Sequence, residues 1–164
     1  LRRHVGHAPL WMPGTTVVIA RPAPGCAPID WEQPIAPEAV EILCVRRSDN
    51  GTWTPVTGIV DPGEEPAVAA AREALEEADV RIDVRRLLSV EVVGPVTYDN
   101  GDVTTYLDVA FVAQWVSGDP TPADGENSET AFFRGDQLPP MNDRFRRAIV
   151  KALSARPDAD FLTA

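Results

Sequence analysis

The stretch from Gly58 to Val80, GIVDPGEEPAVAAAREALEEADV, limits what this chain can fold into more than any other. Its glycine-flanked start and its run of alanines and glutamates predict a loop followed by a helix. On a helical wheel Glu73, Glu76 and Glu77 fall within one arc, because residues three and four apart are neighbours on a helix surface. Val68, Ala71, Leu75 and Ala78 occupy the opposite arc, at the spacing expected of a buried stripe. One face is therefore expected to pack while the other collects carboxylates. Like charges on adjacent turns repel and destabilise the helix unless a cation sits among them. Oxygen ligands with no His or Cys nearby favour a hard ion, Mg²⁺ first and Mn²⁺ second. Ala69 and Ala70 are expected one turn earlier on the acidic side, where small side chains would admit a bulky anionic substrate.

The spacing is more specific than the acidity. After Gly58 come five residues, Glu64, seven residues, Arg72-Glu73, Ala74, Leu75, Glu76-Glu77, Ala78, Asp79 and Val80. This resembles the Nudix box of the Nudix hydrolases, G-x5-E-x7-R-E-U-x-E-E-x-G-U, where U is aliphatic. Eight of the nine fixed positions match, and Asp79 replaces the last glycine. Helices commonly end on a left-handed residue, which glycine adopts freely and Asp tolerates at a modest penalty. The departure bears on how the helix stops and leaves the carboxylates untouched. An acidic helix face is most often simply solvated, but this spacing over so many residues points to a metal site.

The 164 residues suit one domain, taken as residues 1–164. The net charge of -10 weighs against a nucleic acid polymer as partner, since such binding rests on clustered Lys and Arg. A small-molecule nucleotide remains compatible, because bound metal ions reverse the local sign of an acidic pocket. Cys26 and Cys44 have neither metal-ligand spacing nor a disulfide framework and read as free thiols. No apolar run is long enough to cross a bilayer, and the first 14 residues lack the apolar core of a signal peptide. A cytoplasmic protein without membrane partners is the expectation, and His4 and His7 are expected to have no metal role.

Along the chain, TTVVIA from Thr15 to Ala20 reads as a strand. From Arg21 to Pro37 five prolines and a glycine predict a long surface loop, an insertion over residues 21–38 in which Trp31 either lines a pocket or, as the favoured reading, packs the loop onto the domain. Val40 to Arg47 reads as a central strand with Val40, Ile42 and Cys44 on one face and Leu43 and Val45 on the other. Asn50-Gly51 and Asn100-Gly101 signal tight turns. Strands are expected at Leu88 to Val93, at Tyr106 to Val116 with its core face at Leu107, Val109, Phe111 and Trp115, and at Thr130 to Phe133. A closing helix is expected over residues 141–155, with Phe145, Ile149, Ala152 and Leu153 buried and Asn142 or Asp143 as its cap. The order of elements predicts an α/β fold with a mixed sheet between helices. The resemblance implies the same, a Nudix α/β/α sandwich.

Hydrolysis of a diphosphate needs a water in line with phosphorus and neutralised charge on the phosphoryl oxygens, which divalent ions supply. The resemblance implies that Glu76 and Glu77 are the main metal ligands and Glu73 a further ligand or base. It implies that Glu64 completes or orders the site and that Arg72 holds the glutamates by ion pairing. Glu126, late in the chain, stands where some members of the family carry a base or additional ligand. The glycines Gly58 and Gly63, with loop amides suited to phosphate, and the aromatic side chains Tyr98 and Trp53 are the expected substrate contacts. The implied activity is cleavage of a nucleoside diphosphate linked to another moiety, whether a triphosphate, a sugar nucleotide or a dinucleoside polyphosphate. A nucleotide-sensing domain without turnover is the alternative, disfavoured because all four glutamates and the arginine are present. A box-bearing isomerase would need a cysteine or acid over an apolar substrate, and neither cysteine is so placed. The resemblance also brings a homodimer into view, on which the sequence itself is silent.

Overall fold

Alternation of β-branched and small apolar residues builds one mixed seven-stranded sheet. The structure is a computed structural model and describes residues 2–164. A short helix, α1 (Arg2–Val5), precedes strand β1 (Leu10–Pro22). The proline-rich segment ends in a 3-10 turn (Pro37–Ala39) that leads into β2 (Val40–Arg47), β3 (Trp53–Thr54) and β4 (Val56–Ile59). Helix α2 (Pro66–Ala78), strands β5 (Arg81–Thr97), β6 (Val103–Ser117) and β7 (Asn127–Arg134), and helix α3 (Asp143–Leu153) complete the order. The strands lie in the order β3-β2-β1-β6-β5, with β4 paired to β1 and β7 paired to β2. Only β1 and β6 run parallel among these pairs.

Strand β1 is longer than TTVVIA alone suggests, and its extra length matters. One edge of β1 pairs first with β4, at residues 14–17, and then with β2, at residues 20–22. The sheet therefore splits beside β1.

Period-two alternation sends the two faces of the strands to different helices. Val18, Ala20, Ile42, Cys44, Ala110 and Val112 pack with Ala148, Ile149 and Ala152 of α3. Val17, Ile19, Leu43, Val45 and Val56 pack with Ala70, Ala74 and Ala78 of α2. Each fully buried Val, Leu or Ile contributes roughly 1.5–3 kcal/mol. The double-faced reading of β2 holds. On β6 both faces are covered, and the even residues Ala110 and Val112 are more deeply buried than the expected face at Leu107 and Val109.

The stripe of α2 differs from expectation. Val68 is 57% exposed and Leu75 39%, whereas Ala69, Ala70, Ala74 and Ala78 are buried. Alanine allows the helix backbone to approach the sheet closely, which outweighs the larger transfer energy of Val and Leu on the other side. Ala69 and Ala70 thus face the core and do not border the acidic surface.

Helix α3 is capped by Asn142, whose side chain accepts from the Arg144 backbone N–H at 3.0 Å, and it buries Phe145, Ile149, Ala152 and Leu153 as expected. The proline-rich loop is fastened by Trp31, whose indole N–H donates to Gln114 at 2.9 Å and whose ring joins the α3-side core. His7 pairs with Asp102 at 2.9 Å. Among the described residues no helix is long and apolar enough to cross a membrane.

Asp79 ends α2 in the left-handed conformation, at φ 54° and ψ 39°. This is the geometry glycine provides without a Cβ penalty. Asp79→Gly is therefore expected to stabilise the fold by roughly 0.5–1 kcal/mol, and Asp79→Val to destabilise it by at least as much. Urea midpoints of the two variants against the native chain check this.

Candidate active site

The site begins with a glycine. Gly58 of β4 lies beneath α2, and a Cβ there would overlap the carboxyl group of Glu73. Only a residue without a side chain lets Glu73 lie flat against the strand.

Arg72, the next residue back, gathers the loop and the helix. Its Nε and one Nη2 hydrogen donate to the two oxygens of Glu64, at 2.8 and 2.9 Å. Its Nη1 donates to Glu73 and Glu76, each at 3.0 Å, and Nη2 also reaches the Ile59 carbonyl at 3.0 Å. The Glu64 carboxylate also accepts from the Asp61 backbone N–H at 3.1 Å. The Arg72 hydrogen bonds, followed by that N–H, hold the Glu64 carboxyl down at about 2. Glu64 in turn raises the guanidinium above its ordinary value. Both oxygens of Glu64 are thus engaged in shaping the loop, and Gly63 sits in the same exposed turn at φ 86°.

Glu77 has no such partner. It is 4% exposed, and its Oε2 is buried without a hydrogen bond. Its carboxylate lies with those of Asp124 and Glu126, with oxygens of all three within 4.8 Å of one another. Burial first, then the charges of Glu73, Asp124 and Glu126, push the Glu77 carboxyl up to about 8, while nearby Asn127 acts in the opposite sense. Burial also raises Glu73, against the pull of Arg72. A buried carboxylate among three others is suited to a cation as counter-charge.

The Asp124–Glu126 loop is carried to Glu77 by the end of α2. The Thr121 N–H donates to the Ala78 carbonyl at 3.0 Å, and Gly118 packs so closely on Asp79 that a Cβ would overlap its carbonyl. On the other side the Ser48 N–H donates to the Glu126 carbonyl at 2.9 Å.

These carboxylates open onto a cleft of about 1020 Å³. Glu73, Glu76, Glu77 and Glu126 line it, as do Gly58, Trp53 and Tyr98. Of the residues expected at the site from the sequence, Glu64, Gly63 and Arg72 lie outside this lining. Tyr98 shares a hydroxyl–hydroxyl bond with Tyr106, and burial followed by that bond pushes its phenol up to about 12. Trp53 meets Phe133 edge to face, with centroids 5.0 Å apart.

Of the lining residues that the sequence did not mark, four charged ones bear on the chemistry. Asp124 shares its loop with Glu126 but is brought to Glu77 only by the fold. Arg47 is fixed by a bidentate pair with Asp49 at 3.0 and 2.8 Å, which raises its guanidinium above the ordinary value, and it lies in the field of Glu77. Asp108 and Arg144 enter from the α3 side. Asp108 did carry a signal, a charge in the middle of the apolar run YLDVAF.

A family model described as NUDIX domain matches residues 34–153. The NAD-capped RNA hydrolase NudC of Edwardsiella ictaluri is 33% identical over 122 residues, covering 66% of this chain and 44% of that protein. This chain spans from about a third to somewhat under half of the length of the curated relatives it matches. Among solved structures, the MutT NUDIX hydrolase of Burkholderia pseudomallei superposes with a TM-score of 0.59 at 22% identity, covering 87% of this chain and 97% of that one. The ADP-ribose pyrophosphatase of Streptococcus suis does so with a TM-score of 0.61 at 17% identity, covering 90% and 96%. With the box geometry on α2 and a matching model over most of its length, the chain belongs to the NUDIX domain family.

Proposed function

We propose that this protein hydrolyses the diphosphate linkage of a nucleoside diphosphate joined to another moiety, with Mg²⁺, or Mn²⁺ in its place, held at the carboxylate cluster. The observation that carries the reading is the buried carboxylate of Glu77, with one oxygen unpartnered, clustered with those of Asp124 and Glu126. An all-oxygen donor set of this charge suits a hard divalent ion. Glu77, Asp124 and Glu126 would hold it, with Glu73 and Glu76 beside them. When bound, the ion supplies charge neutralisation at the phosphoryl oxygens. Relatives named as hydrolases and a pyrophosphatase support this class of reaction.

The protein's own groups divide the remaining work. Glu73 is fixed between Gly58 and Arg72, and its raised affinity for a proton suits it to accept one from an attacking water. Arg47 is the cation of the lining in the field of Glu77, placed to draw a phosphate toward the cluster. Arg72 and Glu64 position Glu73 and the loop without facing the cleft.

Two variants separate these roles. In the native protein, saturating Mn²⁺ or Mg²⁺ at about 100 times its dissociation constant is expected to stabilise the fold by about 2.7 kcal/mol. That corresponds to a rise in Tm of roughly 5–10 °C for a chain of this size. Glu77→Gln is expected to fold, to lose most of that rise, and to lose hydrolysis of every nucleotide. An unchanged metal-induced shift in that variant removes Glu77 from the metal site. Release of phosphate from a phosphatase-coupled nucleotide panel tests the activity. Tight nucleotide binding with no product from any substrate makes the protein a sensing domain.

Gly58→Ala probes positioning. The added methyl must push the flexible end of Glu73 aside, so the fold is expected to tolerate it. Hydrolysis is expected to fall by about 100-fold, the scale of losing a positioned acid–base group, while the metal-induced rise in Tm largely persists. Full activity in Gly58→Ala excludes the proposed role of Glu73.

A further inference from the structure

The cleft does not end at the carboxylates. It continues to the α3 face of the sheet, where diphosphate hydrolysis has no obvious need of it. There Gly14 of β1 stands opposite Asp108 of β6 in the parallel register. Gly14 has no side chain, and a Cβ on it would touch Asp108 Oδ1 and the Tyr106 ring, each at 3.5 Å. Asp108 is 5% exposed and borders the cleft. Each of its oxygens accepts from the Thr16 hydroxyl at 3.0 Å, and Arg144 Nη1 lies 3.5 Å from Oδ2. A carboxylate has about four acceptor sites, so both oxygens keep capacity for a ligand. Burial raises the Asp108 carboxyl and lowers the Arg144 guanidinium, while each favours the charged form of the other. Tyr98, Tyr106, Trp53, Val93, Val96 and Met141 add aromatic and apolar surface.

A guanidinium beside a carboxylate presents a donor followed by two acceptors. We infer that Arg144 and Asp108 read the edge of a guanine base, so that the substrate is a guanosine diphosphate derivative. This rests on the reading of the site as a nucleotide hydrolase and names its base. Guanine offers the complement in order: the O6 acceptor, the N1 hydrogen and the exocyclic amino group. Adenine turns its N1 lone pair toward a carboxylate, and cytosine does the same with N3. Uracil flanks its single N–H with two carbonyl oxygens. Each of these leaves a polar group opposed or unpaired in a largely buried site, which costs binding. The rings supply flat faces for stacking, which is tolerant of base identity, so discrimination falls to the charged pair.

The test compares the nucleoside diphosphate glucoses, the nucleoside triphosphates and the dinucleoside tetraphosphates of guanine, adenine, cytosine and uracil, with Mg²⁺ or Mn²⁺ present. In each series turned over, the guanine compound is expected to lead in kcat/KM by about tenfold or more, the scale of one bidentate base contact. Asp108→Asn exchanges one acceptor for a donor and is expected to remove that lead. Equal losses on all four bases would assign Asp108 a purely structural role and overturn the inference. Calorimetric binding of GMP, AMP, CMP and UMP without metal reads the compartment apart from catalysis. A preference for GMP there supports the inference even if no series is turned over, a result that would instead sink the proposed hydrolysis. Equal binding of the four monophosphates by the native protein overturns the inference without recourse to any variant.

Discussion

The five hydrogens of the Arg72 guanidinium are the constraint on which the site depends. All five have acceptors: two on Glu64, one each on Glu73 and Glu76, and the Ile59 carbonyl. Lysine, with three donors on a point charge, could not make the planar fork to Glu64 and reach the other groups as well. The fork closes the loop after β4 onto α2, and the remaining donors bring two carboxylates of the helix to fixed places. What Arg72 leaves out is equally important. Glu77 lies beyond its reach, on the side of the helix turned toward Asp124 and Glu126, and its buried Oε2 keeps no hydrogen bond. The arginine thus fixes three of the glutamates in place and leaves the fourth outside its reach.

That division explains what was legible in the sequence. The loop, the helix and the cluster of three carboxylates follow from contacts between residues close along the chain, and spacing alone exposes such contacts. The strand β2, the turn at Asn50-Gly51 and the closing helix were readable for the same reason. Asp124 and Arg47 were not, because each reaches Glu77 through the pairing of distant strands and the docking of a loop on the end of α2. The failure at Val68 and Leu75 has a different origin. Hydrophobic periodicity ranks residues by transfer energy, whereas a helix lying close on a sheet selects for small side chains, and the alanine stripe of α2 follows that second rule. The outward Val68 and Leu75 are tolerated because a few exposed apolar residues are ordinary on a protein surface.

The split of the sheet beside β1 turns two faces into one cleft. Because β4 leaves β1 where β2 has yet to join it, a ligand meets both faces at the same place. Gly58 and Glu73 belong to the α2 side, Gly14 and Asp108 to the α3 side, and the registers of β1 bring Gly14 beside Asp108 and Thr15 beside Gly58. At Gly58 the absent Cβ leaves room for the Glu73 carboxylate flat against the strand, whereas at Gly14 a Cβ would meet Asp108 only in ordinary contact.

The same geometry bears on how a chain of this charge could take the proposed anionic substrate. With 25 acidic against 15 basic residues, an unliganded cleft of this kind repels phosphate over most of its surface. The exceptions lie where a ligand would be gripped: Arg47 beside the carboxylate cluster and Arg144 beside Asp108. Neither is a free charge, since Asp49 holds one and Asp108 flanks the other. Paired cations of this kind orient a ligand through directed hydrogen bonds more than they attract it through long-range field. Under the proposed function, attraction would come from a cation held by the carboxylates, and the acidity of the cleft would become the means of recognising an anionic ligand.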